Sequence, residues 1–349
     1  MGWSLTPGQD TEMINPSGLA ARRKLLADRH RWRKIGLVIN IVIIGLALIL
    51  LARILATLDF AKVPNALATT SSRQIALAIG CSALSYLALT GYDAVAMSQL
   101  RLKVPYRTIA LGSFAAYAIS FVLGFPLITG GTVRYWVYSR VGLTPGKVAS
   151  LTLIASITFW LGMSLILGLA LSLQPAAIAA IDYLSVSVNF LLGLGVLGGI
   201  LIYLAFVSVR RRRLRIKGLR LELPGFFLTC CQIGLGLIDL CGAAAALFFL
   251  LPQGHSMDYI PFVALYVLAC LLGIASNAPG GLGVFELTML HVVTVPSPAS
   301  VLASLLIFRV VYYFLPFLLA LALLGAHEGA VRWRASREAM ANLENDEDE

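Results

Sequence analysis

Arg210-Arg211-Arg212-Arg213-Leu214-Arg215-Ile216-Lys217-Gly218-Leu219-Arg220 packs seven basic residues into one short connector between two long apolar runs, at about 189–208 and 226–250. The surroundings say what kind of chain this is. Of 349 residues, 59% are hydrophobic and 13% charged, against about 25% charged in an ordinary soluble domain. The apolar residues fall in runs of twenty or so, the length a helix needs to cross a hydrocarbon layer of about 30 Å. A transmembrane β-barrel would instead show short segments of alternating polarity. The reading is an all-α polytopic membrane protein, and short loops rich in Lys and Arg stay on the cytoplasmic side. The connector therefore constrains how often the preceding chain crosses.

Apolar runs stand at about 35–56, 75–98, 108–128, 146–171, 189–208, 226–250, 259–278 and 299–324. If the first five all cross from a cytoplasmic N-terminus, residues 210–220 emerge outside, against the charge rule. One early segment must turn back. The segment 108–141 is the candidate, because its apolar run stops at Gly130-Gly131 and resumes as the amphipathic piece Thr132 to Val141. The second half needs the same correction, and 259–295 supplies it, with a stop at Gly280-Gly281. The expected architecture is about six full spans plus two re-entrant helical hairpins. All but five of the 27 Lys and Arg then face the cytoplasm: Lys62 and Arg73 face outward, and Arg53, Arg134 and Arg309 lie in or at the membrane.

The expected domains are a basic N-terminal tail, 1–34, a membrane domain, 35–325, and a C-terminal tail, 326–349, both tails cytoplasmic. For residues 1–34, a helix lying on the membrane surface and a solvated tail that only sets orientation both remain open. The segments about 75–171 match about 226–324 in order and spacing, in opposite orientation, with Asp93 mapping onto Asp239. Identity between the halves is weak and glycine pairs are common in so apolar a chain. The economical reading is still an inverted-topology repeat, an architecture that suits alternating access.

The net charge of +10 does not point to nucleic acid, because the basic residues cluster beside apolar runs, where they set topology and meet anionic lipid. The five cysteines lie inside apolar runs without metal-ligand spacing, so no disulfide framework or metal site is expected. There is no Ser/His/Asp set, no His-Glu-x-x-His and no phosphate loop, and His255 and His291 read as solvated histidines near outer loops. No catalytic residue, cofactor or enzymatic activity is expected.

What remains at membrane depth is Asp93, Arg134, Asp239, Glu286 and Arg309. Each is costly there unless paired or facing a polar cavity. Two readings stand side by side: buried ion pairs that lock helices, or groups that bind a substrate. The glycine breaks favour the second. In Gly130-Gly131-Thr132-Val133-Arg134 the glycines admit a ligand to a helix N-terminus and Arg134 adds a forked donor, a combination suited to phosphate. In Asn277-Ala278-Pro279-Gly280-Gly281-Leu282-Gly283-Val284-Phe285-Glu286 the proline stops one helix and the next delivers a carboxylate, suited to an amine or an arginine. The candidate substrate-binding residues are Asp93, Gly130, Gly131, Arg134, Asp239, Asn277, Gly280, Gly281, Glu286 and Arg309.

These stretches carry a resemblance. Gly130 to Arg140, with Phe159-Trp160-Leu161-Gly162 after it, Asn277 to Glu286, and Tyr92-Asp93 ahead of the basic loop at Arg101 are similar to the transmembrane flippase region of bacterial lysylphosphatidylglycerol synthases, the multiple peptide resistance factor family. The resemblance covers about residues 35–325. It implies a bacterial inner-membrane lipid translocase that moves aminoacylated phosphatidylglycerol between leaflets, with Asp93, Arg134 and Glu286 as matching positions. The family's synthases carry a large soluble transferase domain, whereas this chain stops about 25 residues beyond its last predicted span. The expectation is therefore a stand-alone translocase whose cargo is a phospholipid or another polar lipid, such as a hopanoid or a lipid-linked sugar. Membrane lipids surround it, and a homo-oligomer or a separate lipid-modifying enzyme are open partners. A membrane subunit or anchor for such an enzyme is the alternative.

Overall fold

The computed structural model describes residues 70–182, 184–209, 213–216, 219–222, 224–252, 255, 257–276, 281, 283–293 and 298–347. The first predicted run, 35–56, the basic stretch before it, Asn277 and Gly280 lie outside the described residues.

The elements are helical. In chain order they are α1 (Ser72–Gln99), α2 (Tyr106–Leu123), α3 (Pro126–Tyr138), α4 (Pro145–Leu173), α5 (Pro175–Asp182), α6 (Val186–Val209), α7 (Phe226–Leu250), α8 (Tyr259–Ala275), α9 (Val284–Val292), α10 (Pro298–Phe308), a π-helical segment (Arg309–Phe314) and α11 (Leu315–Glu347). A short antiparallel ribbon, β1 (Arg213–Ile216) and β2 (Leu219–Glu222), occupies the basic connector, with Arg213 opposite Glu222 and Ile216 opposite Leu219. Six helices among the described residues are long and apolar enough to cross a membrane: α1, α2, α4, α6, α7 and the run through α10 and α11.

Helix boundaries follow local chemistry. Ser71 caps α1, and Gln74 returns the contact by accepting from the Ser71 backbone N–H at 3.0 Å, a capping box. The Gln74 amide also donates to the carbonyls of Phe249 and Leu251, tying the start of α1 to the end of α7. Further along, Ser85 meets Asp239 and Gln99 meets Gln232, so α1 and α7 run antiparallel over their full lengths. The first helices of the two halves thus pack directly against each other. Helix α4 crosses α7 at two glycines, where a Cβ on Gly162 would stand 2.6 Å from the Gly236 Cα. Backbones approach this closely only where side chains are absent.

The break in the first hairpin is not at Gly130-Gly131. Both glycines lie inside α3, and the chain turns at Gly124 (φ 78°) and Phe125 (φ 51°). The physical reason is Pro126: proline is preorganised for a first helical position and excludes the α region for the residue before it. Helix α3 then runs back along α2, with Thr129 donating to Ser120 at 3.0 Å and Tyr138 Oη lying 3.0 Å from the Ile109 carbonyl. The second hairpin turns near Gly281 (φ 65°) and Gly283 (φ 85°), closer to the expected position. Helix α9 packs back on α8, with Tyr266 and Phe285 rings 5.5 Å apart.

Run 299–324 is interrupted by the π segment. Pro316 has no N–H to give the Tyr312 carbonyl, and Tyr86 Oη donates to that carbonyl instead, at 3.1 Å.

Candidate functional site

Four of the five charged residues expected at membrane depth form two ion pairs, each between a hairpin and a long helix. In the first, Arg134 of α3 clasps Asp93 of α1. Nε lies 2.8 Å from one carboxylate oxygen and Nη2 lies 2.8 Å from the other. Tyr138, one turn beyond Arg134, donates to Asp93 at 2.7 Å. The guanidinium stacks over Tyr117 of α2, 4.6 Å from the ring centre. Side-chain exposure is 3% for Arg134 and 0% for Asp93, so no face of the carboxylate is left to solvent.

In the second pair the signs are exchanged. Glu286 belongs to the hairpin and Arg309 to the long helix, where it opens the π segment. Arg309 Nε and Nη2 both donate to one Glu286 oxygen, at 2.8 and 2.5 Å. The other oxygen accepts the Gly283 backbone N–H at 2.8 Å, satisfying a free donor at the start of α9. Arg309 stacks over Tyr313 at 4.5 Å. This pair is more open, with Glu286 18% exposed.

An aromatic chain joins the pairs. Tyr117 contacts Phe121 at 5.9 Å between ring centres and Phe121 contacts Tyr313 at 6.2 Å. Each arginine therefore sits on a tyrosine, and one phenylalanine bridges the two tyrosines. Aromatic faces attract guanidinium groups by their quadrupole, more strongly where water is excluded.

Asp239 joins neither pair. It is 3% exposed and lies between α7 and α1. Ser85 Oγ donates to one of its oxygens at 2.6 Å and Tyr92 Oη to the other at 2.8 Å. Gly130 lies beside Arg134, and a Cβ there would stand 3.1 Å from Arg134 Nη1 and 2.9 Å from Ser120 Oγ. Gly131 packs toward Thr152 of α4, whose Oγ1 a Cβ there would meet at 3.8 Å, an ordinary van der Waals contact. Arg134 sits two turns into α3, away from that helix's free N–H groups. The expected cradle of glycine break, helix N-terminus and arginine is thus redistributed, with the break six residues earlier in the chain. Gly281 lies at the second turn and packs against Gly273. His255 rests its ring on Phe248 at 5.0 Å, and His291 is exposed.

Sequence reasoning missed Tyr117, Phe121 and Tyr313 as parts of the site. The i, i+4 spacing of Tyr117 and Phe121 and of Arg134 and Tyr138 was a usable signal, because residues four apart share one helix face. Nothing in the sequence said that Arg134 meets Asp93 and Glu286 meets Arg309.

The family described as the lysylphosphatidylglycerol synthase TM region matches residues 37–320. An uncharacterized Synechocystis protein, slr0712, is 32% identical over 256 residues, covering 73% of this chain and 80% of its own. The Escherichia coli inner membrane protein YbhN is 28% identical over 313 residues, covering 88% and 98%. The Staphylococcus aureus phosphatidylglycerol lysyltransferase is 27% identical over 250 residues, and the chain spans 28% of its length. With six helices among the described residues able to span a bilayer and buried charge arranged on two helical hairpins, the chain is a multi-pass membrane protein that belongs to the lysylphosphatidylglycerol synthase transmembrane-region family.

Proposed function

We propose that this chain is a lipid translocase, without enzymatic activity of its own, that moves a phospholipid or another polar lipid between the leaflets of a bacterial inner membrane. Its termini face the cytoplasm, and its hairpins α2–α3 and α8–α9 re-enter from opposite faces in an inverted-topology repeat. The short returning arms support the re-entry. At about 1.5 Å per residue, α3 extends about 20 Å and α9 about 14 Å, both short of a hydrocarbon core of about 30 Å, although α2, the entering arm of the first hairpin, is itself long enough to cross.

The observation that carries the reading is the pair of ion pairs joined by the aromatic chain. A lone charge at membrane depth is costly, so a headgroup crossing the bilayer needs partners that are already charged and already dehydrated. Partner exchange provides them. A lipid phosphate takes the place of a carboxylate on Arg309 or Arg134, and the freed Glu286 or Asp93 receives an ammonium or hydroxyl of the same headgroup. Each exchange leaves the buried charge balanced. Glu286, the more exposed carboxylate, opens first; Asp93, sealed on all sides, opens later. The tyrosine and phenylalanine faces between them hold a cationic or hydroxylated headgroup in transit.

The test is reconstitution in liposomes with fluorescent phospholipids of several head groups and an impermeant quencher. Wild type redistributes at least one lipid faster than protein-free vesicles, and Arg134→Ala loses the gain. Wild type indistinguishable from empty vesicles across all head groups contradicts the reading. A membrane partner for a separate lipid-modifying enzyme is the second reading, favoured by the lysyltransferase relative of which the chain covers 28%. Copurification with such an enzyme, without lipid movement, supports it.

A further inference from the structure

Asp239 is the one membrane-depth carboxylate that the partner-exchange scheme leaves unused, and its surroundings differ in kind from those of Asp93 and Glu286. Among the described residues it has no cationic partner, only hydroxyl donors. Ser85 Oγ and Tyr92 Oη occupy its two oxygens. Ser85 Oγ is also 2.8 Å from Tyr312 Oη. The titratable groups that feel its charge are phenols and thiols: Tyr86 and Tyr92 of α1, Tyr117 of α2, Tyr266 and Cys270 of α8, Cys241 of its own helix and Tyr312 of the π segment. Arg134 and Arg309 are held by Asp93 and Glu286.

Hydrogen counting shows what a proton on this carboxylate does. With Asp239 ionised, both oxygens accept, so Ser85 and Tyr92 must both donate, and Tyr312 must donate to Ser85. Each hydroxyl has one hydrogen, so the chain from Tyr312 through Ser85 to Asp239 runs one way only. With Asp239 protonated through its Ser85-facing oxygen, that oxygen becomes the donor. Ser85 turns and donates to Tyr312, and the Tyr312 hydrogen must find a different acceptor. Tyr312 sits in the π segment that Arg309 opens, and its carbonyl is the one that Pro316 leaves for Tyr86. π segments inside longer helices are frequent at functional sites. A proton on that oxygen is thus read by the segment that holds the second ion pair.

We propose that Asp239 is a reversible proton-binding site coupled through Ser85 and Tyr312 to the π segment, which makes lipid movement by this chain proton-dependent. In each cycle Asp239 takes one proton from water, the relay reverses, the segment bearing Arg309 changes its hold on Glu286, and the proton returns to water when the ionised arrangement is restored. The coupling to lipid rests on the translocase reading; the proton site itself does not.

The experiment separates the two. Infrared difference spectra of the full chain in nanodiscs, recorded across a pH titration, follow the carboxylic C=O stretch without any transport. Wild type shows a titrating buried carboxylic acid that Asp239→Asn lacks and Asp93→Asn retains. Tyr312→Phe, which leaves every carboxyl in place, moves the midpoint of that band. A band that persists in Asp239→Asn, or no titrating band in wild type, overturns the proposal. In liposomes, the pH dependence of lipid redistribution disappears in Asp239→Asn; redistribution whose pH dependence survives that substitution overturns the coupling. No redistribution by wild type at any pH, together with the infrared band, removes the translocase reading and leaves the proton site standing.

Discussion

The two hairpins carry the same kind of ion pair with opposite wiring and unequal depth. On the first, the arginine belongs to the short helix and the acid to the long one. Four hydrogen bonds, including the Tyr138 hydroxyl, hold Asp93 at 0% exposure. On the second, the acid belongs to the short helix and the arginine to the long one. There a single Glu286 oxygen receives both arginine contacts, and the carboxylate is 18% exposed. The stacking beneath the two arginines is nearly the same, 4.6 Å over Tyr117 and 4.5 Å over Tyr313. The difference teaches that two hairpins of similar build need not contribute matching charges. What the hairpins share is one ion pair each and one tyrosine per arginine, and what differs is how far each pair is sealed.

The largest effect tests the sealed pair. Asp93→Ala leaves Arg134 buried without its carboxylate, and breaking a buried pair by removing one partner costs about 3–5 kcal/mol; the folded fraction in a mixed-micelle unfolding titration should drop accordingly. Glu286→Ala removes the more open partner and should cost less, about 1.5–3 kcal/mol, the range for hydrogen bonds to charged groups. A Glu286→Ala loss equal to or above that of Asp93→Ala would break the comparison. Tyr117→Leu and Tyr313→Leu should each cost about 0.5–2 kcal/mol through the lost cation–π contact, and they should cost the same. An unequal result would sharpen the contrast by placing part of the asymmetry in the rings. The smallest effect is at the surface, where Arg140 pairs with Glu328 of α11 with both side chains more than a quarter exposed. Arg140→Ala should shift the same titration by no more than about 1 kcal/mol.

The spans were legible because each is a long apolar run with a chemical stop. Run 226–250 coincides with α7, and 75–98 falls short of α1 by a few residues at its capped start. The turn of the first hairpin was misplaced because a glycine pair inside an apolar run looks like a break, whereas Gly130 and Gly131 sit within α3. The readable sign was Pro126, which restricts Phe125 and forces the turn there. The π segment had a similar sign in Pro316, but a proline in a helical run predicts only that one carbonyl loses its partner, not that Tyr86 supplies another. The charged residues were legible as a set, because ionisable groups are rare at this depth. Their pairing was not, because it depends on the approach of α3 to α1 and of α9 to the π segment, which no local pattern encodes. Asp239 shows the limit most clearly: the sequence reading sets it against Asp93, yet it faces hydroxyls instead of an arginine.

Whether the buried pairs move headgroups or only hold helices together is decided by a variant that removes the charge and keeps the packing. Asp93→Leu combined with Arg134→Met replaces a buried pair by apolar residues of similar size, an exchange that is often neutral for stability. In reconstituted liposomes the account predicts that this folded double variant loses lipid redistribution while wild type retains it. Redistribution at the wild-type rate by the double variant would contradict the account and leave the Asp93–Arg134 pair as a structural clasp.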